Sequence, residues 1–381
     1  MRIPTRWLKL ARGLLECPTA PLREEAPARY VLDFAAARPA LFCRRDAAGN
    51  ILLGFPRNAA RARAPLVLVA HLDHPGFWIE GARGGLARLI FRGGVNPAHV
   101  RPGTGVRFFE RGSGRETGRG RLVRVTGRKG RLHAATARVM SGCAPAGGFA
   151  TWDFPGWRLR GGRIVSRGCD DSLGCAVLLC VLEELARAKR RGEGLWALFT
   201  RAEEAGFCGA FGALSSRLLP RGARVISVEC SRALPSAPQG AGVIVRVGDR
   251  AAVFDAGVTE ALRQVAESLR RRRPRFQYQR KLMDGGACEA FVFGARGYRA
   301  SGVALPLGNY HNQAGLDGGR RGIGPEHVLA ADFVGAVELL LELARQARRW
   351  RRLERGGEAR LVELARRARR ELRAQPLLVG S

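Results

Sequence analysis

The chain has 381 residues, of which 46% are hydrophobic and 26% charged, and its formal net charge is +32. This length and apolar content allow one large core or two smaller ones and exclude global disorder, while 50 glycines without a period of three exclude collagen. The basic residues are 61 Arg and only 4 Lys. A nucleic-acid partner would not select against Lys, which also binds phosphate, so the excess reads as compositional bias toward Arg, and no nucleic-acid partner is expected.

The longest apolar run, Leu173 to Leu182, ends at Glu183 and is too short to span a bilayer. No secretory leader is recognisable, and no membrane partner is expected. Nine cysteines without a C-x-x-C pair read as reduced core thiols of a cytoplasmic protein rather than a disulfide framework.

In chain order, Thr5 to Glu16 and Arg23 to Ala37 read as helices. Cys43 to Asn50 is a turn with strand on either side. Leu66 to Ala70 is a buried strand, and Leu195 to Thr200, Arg224 to Val228 and Gly302 to Leu305 resemble it. The helical pattern over Leu173 to Arg187 lies between such strands, and this alternation predicts an α/β fold with a mixed, mostly parallel sheet and flanking helices. Gly76 to Val165 differs. Leu86–Phe91, Val106–Glu110, Gly120–Val125 and Arg131–Val139 read as strands between Gly-rich turns, without a good amphipathic helix. An inserted, small all-β domain is therefore expected at 76–165. It divides a discontinuous catalytic domain at 1–75 and 166–348. Pro325 is read as the first residue of the next helix, whose apolar face runs from Val328 to Ala344. Residues 349–381 are read as a basic helical tail, in which Glu354, Glu358, Glu363 and Glu371 interleave with arginines as on a solvated, salt-bridged helix.

Four sites follow predicted strands: His71-Leu72-Asp73 after Leu66 to Ala70, Glu203-Glu204 after Leu195 to Thr200, Glu229 directly after Arg224 to Val228, and His311 after the strand ending near Leu305. A fifth, Asp170-Asp171, opens the helix from Leu173. In open α/β sheets, ligands gather at the carboxyl ends of strands. Imidazoles and carboxylates suit divalent metals, and His71, Asp170, Glu204, Glu229 and His311 supply one donor each. If one carboxylate bridges, each of two ions receives three protein ligands and keeps an open position. Asp73 is placed to fix the tautomer of His71, and Glu203 is left as general base. Singly, each site has an ordinary reading: Asp-Asp as a helix cap, Glu-Glu as a solvated helix face. His74, His99, His133 and His327 are read as turn, surface or structural residues, with His74 adjoining the site. Cys169 and Cys230 are read as packing.

The order H-x-D, D-D, E-E, acid, His resembles the co-catalytic dizinc exopeptidases. The stretches Asp46-Ala47-Ala48-Gly49-Asn50, Ala70 to Phe77, Gly93 to Pro97, Asp170 to Gly174 and Glu203 to Ala210 most resemble those of the tetrahedral, glutamyl and deblocking aminopeptidases. Asp170 follows His71 by 99 positions, whereas only 82 separate Glu229 from His311. That early insertion matches this branch, whose β domain serves oligomer assembly. The resemblance implies a metal-dependent aminopeptidase acting on peptides through a metal-bridging water. Asp170 would join two divalent ions (zinc, with cobalt or manganese as alternatives). His71 and Glu229 would hold one ion, Glu204 and His311 the other, with Glu203 as base. It also implies a homo-oligomer assembled through the inserted domain. Alternative functions are a dizinc amidohydrolase or deacylase acting on non-peptide acyl amides, and an inactive homologue binding nucleic acid through its basic surface.

Overall fold

The computed structural model describes residues 3–56, 65–188, 194–283 and 285–375, the side chains of 357–360 excepted. The last six positions of the expected tail, the Glu358 side chain, and 57–64 and 189–193 of the expected catalytic domain lie outside the described residues.

The chain opens with α1 (Thr5–Glu16), α2 (Glu25–Ala36) and the strands β1 (Phe42–Arg45), β2 (Ile51–Gly54) and β3 (Leu66–His71). Six strands follow: β4 (Gly76–Arg83), β5 (Leu86–Arg92), β6 (Gly105–Phe109), β7 (Glu116–Arg128), β8 (Arg131–Gly142) and β9 (Phe149–Trp152). They close into an antiparallel barrel in the order β4-β5-β8-β7-β6-β9. Its interior is filled by Phe77, Phe91 and Trp152, whose rings meet edge-on or tilted at centroid distances of 4.9–6.0 Å. Then come β10 (Arg158–Arg160), β11 (Arg163–Ser166), α3 (Ser172–Arg187), β12 (Leu195–Thr200), α4 (Cys208–Ser215), β13 (Arg224–Arg232), β14 (Val243–Asp249), α5 (Ala256–Arg272), β15 (Tyr278–Met283), α6 (Glu289–Ala295) and β16 (Arg299–Leu307). Two short strands, β17 (Gln313–Ala314) and β18 (Gly322–Ile323), precede β19 (Glu326–Leu329), α7 (Ala330–Gln346), α8 (Trp350–Glu354) and α9 (Gly356–Ala374).

The main sheet has eight strands in the order β1-β2-β12-β3-β13-β16-β14-β15. The central four, β12, β3, β13 and β16, are parallel neighbours, so their carboxyl ends share one edge. Their near-continuous apolar sequences follow from burial on both faces. The helix α3 supplies twelve buried residues and packs with α1 and α7 over one face. Residues of α4 and α6 cover the other. Truncating a fully buried ring such as Phe199 to alanine costs about 3–5 kcal/mol by transfer and cavity terms. The mixed, mostly parallel α/β fold with its inserted all-β barrel is the class expected from the sequence.

Two local expectations are corrected. Pro325 does not open a helix. Residues 326–329 form β19, which pairs antiparallel with β11, and α7 begins at Ala330. The extended segment buries the carboxylate of Glu326, which an extra helical turn would have carried elsewhere. Glu229 does not follow its strand but lies within β13, which continues to Arg232 beside the equally long β16.

Candidate metal centre

The parallel register brings the candidate residues to one edge of the sheet. His71 ends β3 opposite Thr200, the last residue of β12. Glu203 and Glu204 follow in a turn shaped by the left-handed backbone of Ala202 and Phe207 (φ 50° and 61°). His311 follows β16 in a 3-10 turn in which Asn309, His311 and Asn312 all have positive φ. Asp170 and Asp171 are joined by a cis peptide ahead of α3.

Asp170 lies between the two histidines. Its Oδ1 is 3.5 Å from His71 Nε2, and its Oδ2 is 3.6 Å from His311 Nε2. Glu229 Oε2 is 3.7 Å from His71 Nε2, and Glu204 Oε1 is 2.8 Å from His311 Nε2. Asp170 Oδ1 is buried without a hydrogen-bond donor, an expensive state for a carboxylate oxygen unless a cation completes it. In both imidazoles Nδ1 faces a main-chain carbonyl, which leaves Nε2 as the atom able to bind a cation. His71 Nδ1 donates to the Asp73 carbonyl at 3.1 Å, and His311 Nδ1 donates to the Gly94 carbonyl at 2.7 Å. Donor atoms of His71, Asp170 and Glu204 lie within 4.8 Å of one another, as do those of His71, Glu203 and Glu229. The donor set of imidazole nitrogens and carboxylate oxygens fits divalent ions of the zinc, cobalt or manganese type.

The electrostatics are those of a crowded acidic site. Burial pushes the His71 imidazole down, but Glu203, Asp170, Asp73 and Glu229 outweigh it and hold it well above its ordinary value. His311 behaves likewise, with Glu204 and Asp170 opposing burial. Burial pushes Asp170 up, yet its two imidazoles win and leave it low. For Glu203, burial and the nearby Glu204, Glu229 and Asp73 carboxylates lift the pKa well above the usual range, against the pull of His71.

Asp73 does more than face a ring. Its Oδ1 accepts the Glu203 backbone N–H at 2.9 Å and its Oδ2 accepts that of Glu204 at 3.1 Å. The carboxylate Oδ1 is 3.5 Å from His71 Nδ1, so the closer partner of that nitrogen is the Asp73 main chain. Asp171 caps α3, with Oδ1 accepting from Gly174 N at 3.2 Å, which is its ordinary reading. Glu203 and Glu204 are not on a helix.

Several supporting residues escaped the sequence reading. Glu326 Oε2 accepts the backbone N–H groups of Cys169 (2.6 Å) and Asp170 (3.0 Å), and Oε1 accepts that of His311 (2.8 Å). One buried carboxylate therefore ties the Asp170 and His311 loops together. Ser227 Oγ donates to Glu229 Oε1 at 2.8 Å, and Thr200 Oγ1 donates to buried Glu289 at 2.9 Å. His74, read as structural, is buried and bridges the Asp170 carbonyl (2.5 Å) and Asn312 Oδ1 (2.9 Å). His99 is also buried, against the Ala314 carbonyl at 3.0 Å. Cys169 and Cys230 are buried, with the Cys230 thiol 3.4 Å from the Cys169 carbonyl, and all nine cysteines are free. The cleft above the carboxylates is further lined by Arg232, Arg246, Met283 and Tyr310.

Residues 136–316 match the family model described as M42 glutamyl aminopeptidase. Over that segment the chain is similar to the M42 glutamyl aminopeptidases. That is the family its motifs resemble. No curated protein matches the sequence. Among solved structures, aminopeptidase APDkam598 from the archaeon Desulfurococcus kamchatkensis superposes with a TM-score of 0.72 at 20% identity, covering 89% of this chain and 94% of that one. The Pyrococcus horikoshii TET1 peptidase, which can assemble into a tetrahedron or a large octahedral shell, gives 0.69 at 18% identity over 89% and 99%. Yeast aminopeptidase 1 gives 0.63 at 11% identity over 92% and 98%. At these identities the likeness establishes the shared fold.

Proposed function

We propose that this protein is a metal-dependent aminopeptidase that removes N-terminal residues from peptides at the His71–Asp170–Glu204–Glu229–His311 centre. The observation that carries this reading is the Asp170 carboxylate, with one oxygen toward His71 and the other, 3.6 Å from His311, toward the second imidazole. Asp170 would be shared by two ions, His71 and Glu229 would hold one, and Glu204 and His311 the other. Divalent ions bound there supply charge that polarises a scissile carbonyl and acidifies water.

The chain's own residues would do the rest. Glu203, raised in pKa and lying 3.9 Å from His71 Nε2, would take the proton of the attacking water and return it to the leaving amine. Asp73 would hold the Glu203–Glu204 backbone so that one carboxylate faces the water and the other a metal. Acidic groups around the cleft would receive the free substrate amine. The barrel, together with flanking segments over 76–165, would be a separate assembly domain inserted into the catalytic unit. A homo-oligomer is supported by the assembly described for the TET1 peptidase.

A panel of aminoacyl anilides against N-acyl amino acids tests the reading. Hydrolysis of the free-amine anilides is expected. Activity confined to the N-acyl compounds would mean a deacylase instead.

A further inference from the structure

The metal centre leaves α9 without a role. Among the described residues, large apolar side chains exposed on this one helix include Leu361 (65%), Val362, Leu364 and Leu372 (72%). Leu361, Leu364, Ala365, Ala368 and Leu372 recur at i, i+3, i+4, i+7 and i+11, which places them in one stripe along the helix. Arg366, Arg369, Arg370 and Arg373 occupy other positions, and Arg367 pairs with Glu371 at 2.8 Å. Every side chain from 361 to 375 is exposed. The helices packed against α9 continue the basic surface: Arg270, Arg271 and Arg272 end α5, and Arg351 and Arg352 lie on α8. A groove beside α9 is lined by Arg271, Arg349, Arg352 and Val362. Residues 256–276 and 338–375 together hold eighteen Arg against eight Glu, about twice the chain's mean density of positive charge.

Three kinds of occupant can be compared on this chemistry. A second copy would set arginine against arginine, and Glu371 interrupts the apolar seam, so a coiled coil is disfavoured. A nucleic acid would engage the arginines and leave the leucines in water. An anionic bilayer engages both, with leucines in the acyl boundary and guanidinium groups at the phosphates. We propose that α9 is a membrane-surface helix that docks the protein on bilayers carrying anionic lipids. No helix among the described residues is long and apolar enough to cross a membrane. The expectation of no membrane partner rests on the shortness of the longest apolar run in the sequence, and neither observation bears on a helix lying in the interface.

Co-flotation of the full chain with vesicles tests this. Binding to phosphatidylglycerol-containing vesicles is expected to exceed binding to pure phosphatidylcholine by ~10-fold or more, and to weaken with salt. Leu361→Gln with Leu372→Gln, folded by circular dichroism, is expected to lose ~10-fold. Arg369→Gln with Arg370→Gln is a second variant and should lose binding to the charged vesicles as well. Absence of binding to the charged vesicles overturns the proposal. So does binding that ignores the leucine pair, whether to vesicles or to duplex DNA. Loss of a concentration-dependent dimer in the leucine variant, without vesicle binding by the parent, also overturns it.

Discussion

The Asp73 carboxylate accepts the backbone N–H of Glu203 at 2.9 Å, so the end of β3 fixes where the candidate base begins. The same carboxylate holds Glu204 through its second oxygen. Asp73→Asn keeps the volume but turns an amide NH2 toward one of these donors. About a 10–100-fold fall in kcat/KM or metal affinity is expected, read by steady-state kinetics and by metal titration of the same sample.

Glu203→Gln separates chemistry from binding. The amide cannot take a proton, so kcat should fall by about 10²–10⁴-fold. The five proposed ligands are untouched, so bound metal measured by elemental analysis should match the parent. Near-parent turnover would remove Glu203 from the mechanism.

Glu326→Gln tests the tie between the Asp170 and His311 loops. The carboxylate serves three N–H groups through both oxygens, and a carboxamide offers an acceptor on only one side. Leaving a buried donor unpaired costs about 1–3 kcal/mol. A lower denaturation midpoint is expected together with weaker metal retention on dialysis. A variant matching the parent in both would reduce Glu326 to a bystander.

Glu289 gives a prediction on pH. Burial lifts its carboxyl from an ordinary 4.5 to about 8, with Glu229 and Asp73 adding to the rise and His71 opposing it. The folded state thus binds this proton more tightly than the unfolded state does. Its contribution is fully present below about pH 4.5 and is lost as pH rises toward 8. Glu289→Gln can still accept from Thr200 and carries no such penalty. Denaturant midpoints of parent and variant should therefore diverge across that window, with the variant gaining at the alkaline end. Parallel curves would contradict the assignment.

Much of this site was legible because its residues sit where the chain changes state. His71 ends a run of buried residues, and Glu203-Glu204 follow another, so strand ends marked them before any contact was known. The H-x-D and E-E spacings then carried the family resemblance. What stayed hidden depends on pairing distant in sequence. Glu326 acts on Asp170 from 156 positions away through the β11–β19 pair, and Pro325 before it pointed to a helix. In the barrel, β4 has a register shift between Ile79 and Gly81 that breaks its alternation, and β9 is four residues long and buried throughout. Neither shows the period of two that reveals a half-buried strand. The charge pattern also reads differently with the fold in hand. The scarce carboxylates Asp73, Asp170, Glu203, Glu204 and Glu229 converge on one sheet edge, while part of the arginine excess gathers around α5, α8 and α9.

Stripping the protein with a chelator and titrating zinc back, while following hydrolysis of an aminoacyl anilide, tests the shared-carboxylate centre most directly. Activity should vanish on stripping, return with added metal and level off at two ions per chain. Undiminished hydrolysis by the stripped protein, or full recovery at a single ion per chain, would contradict a centre built around Asp170 as the residue common to two metals.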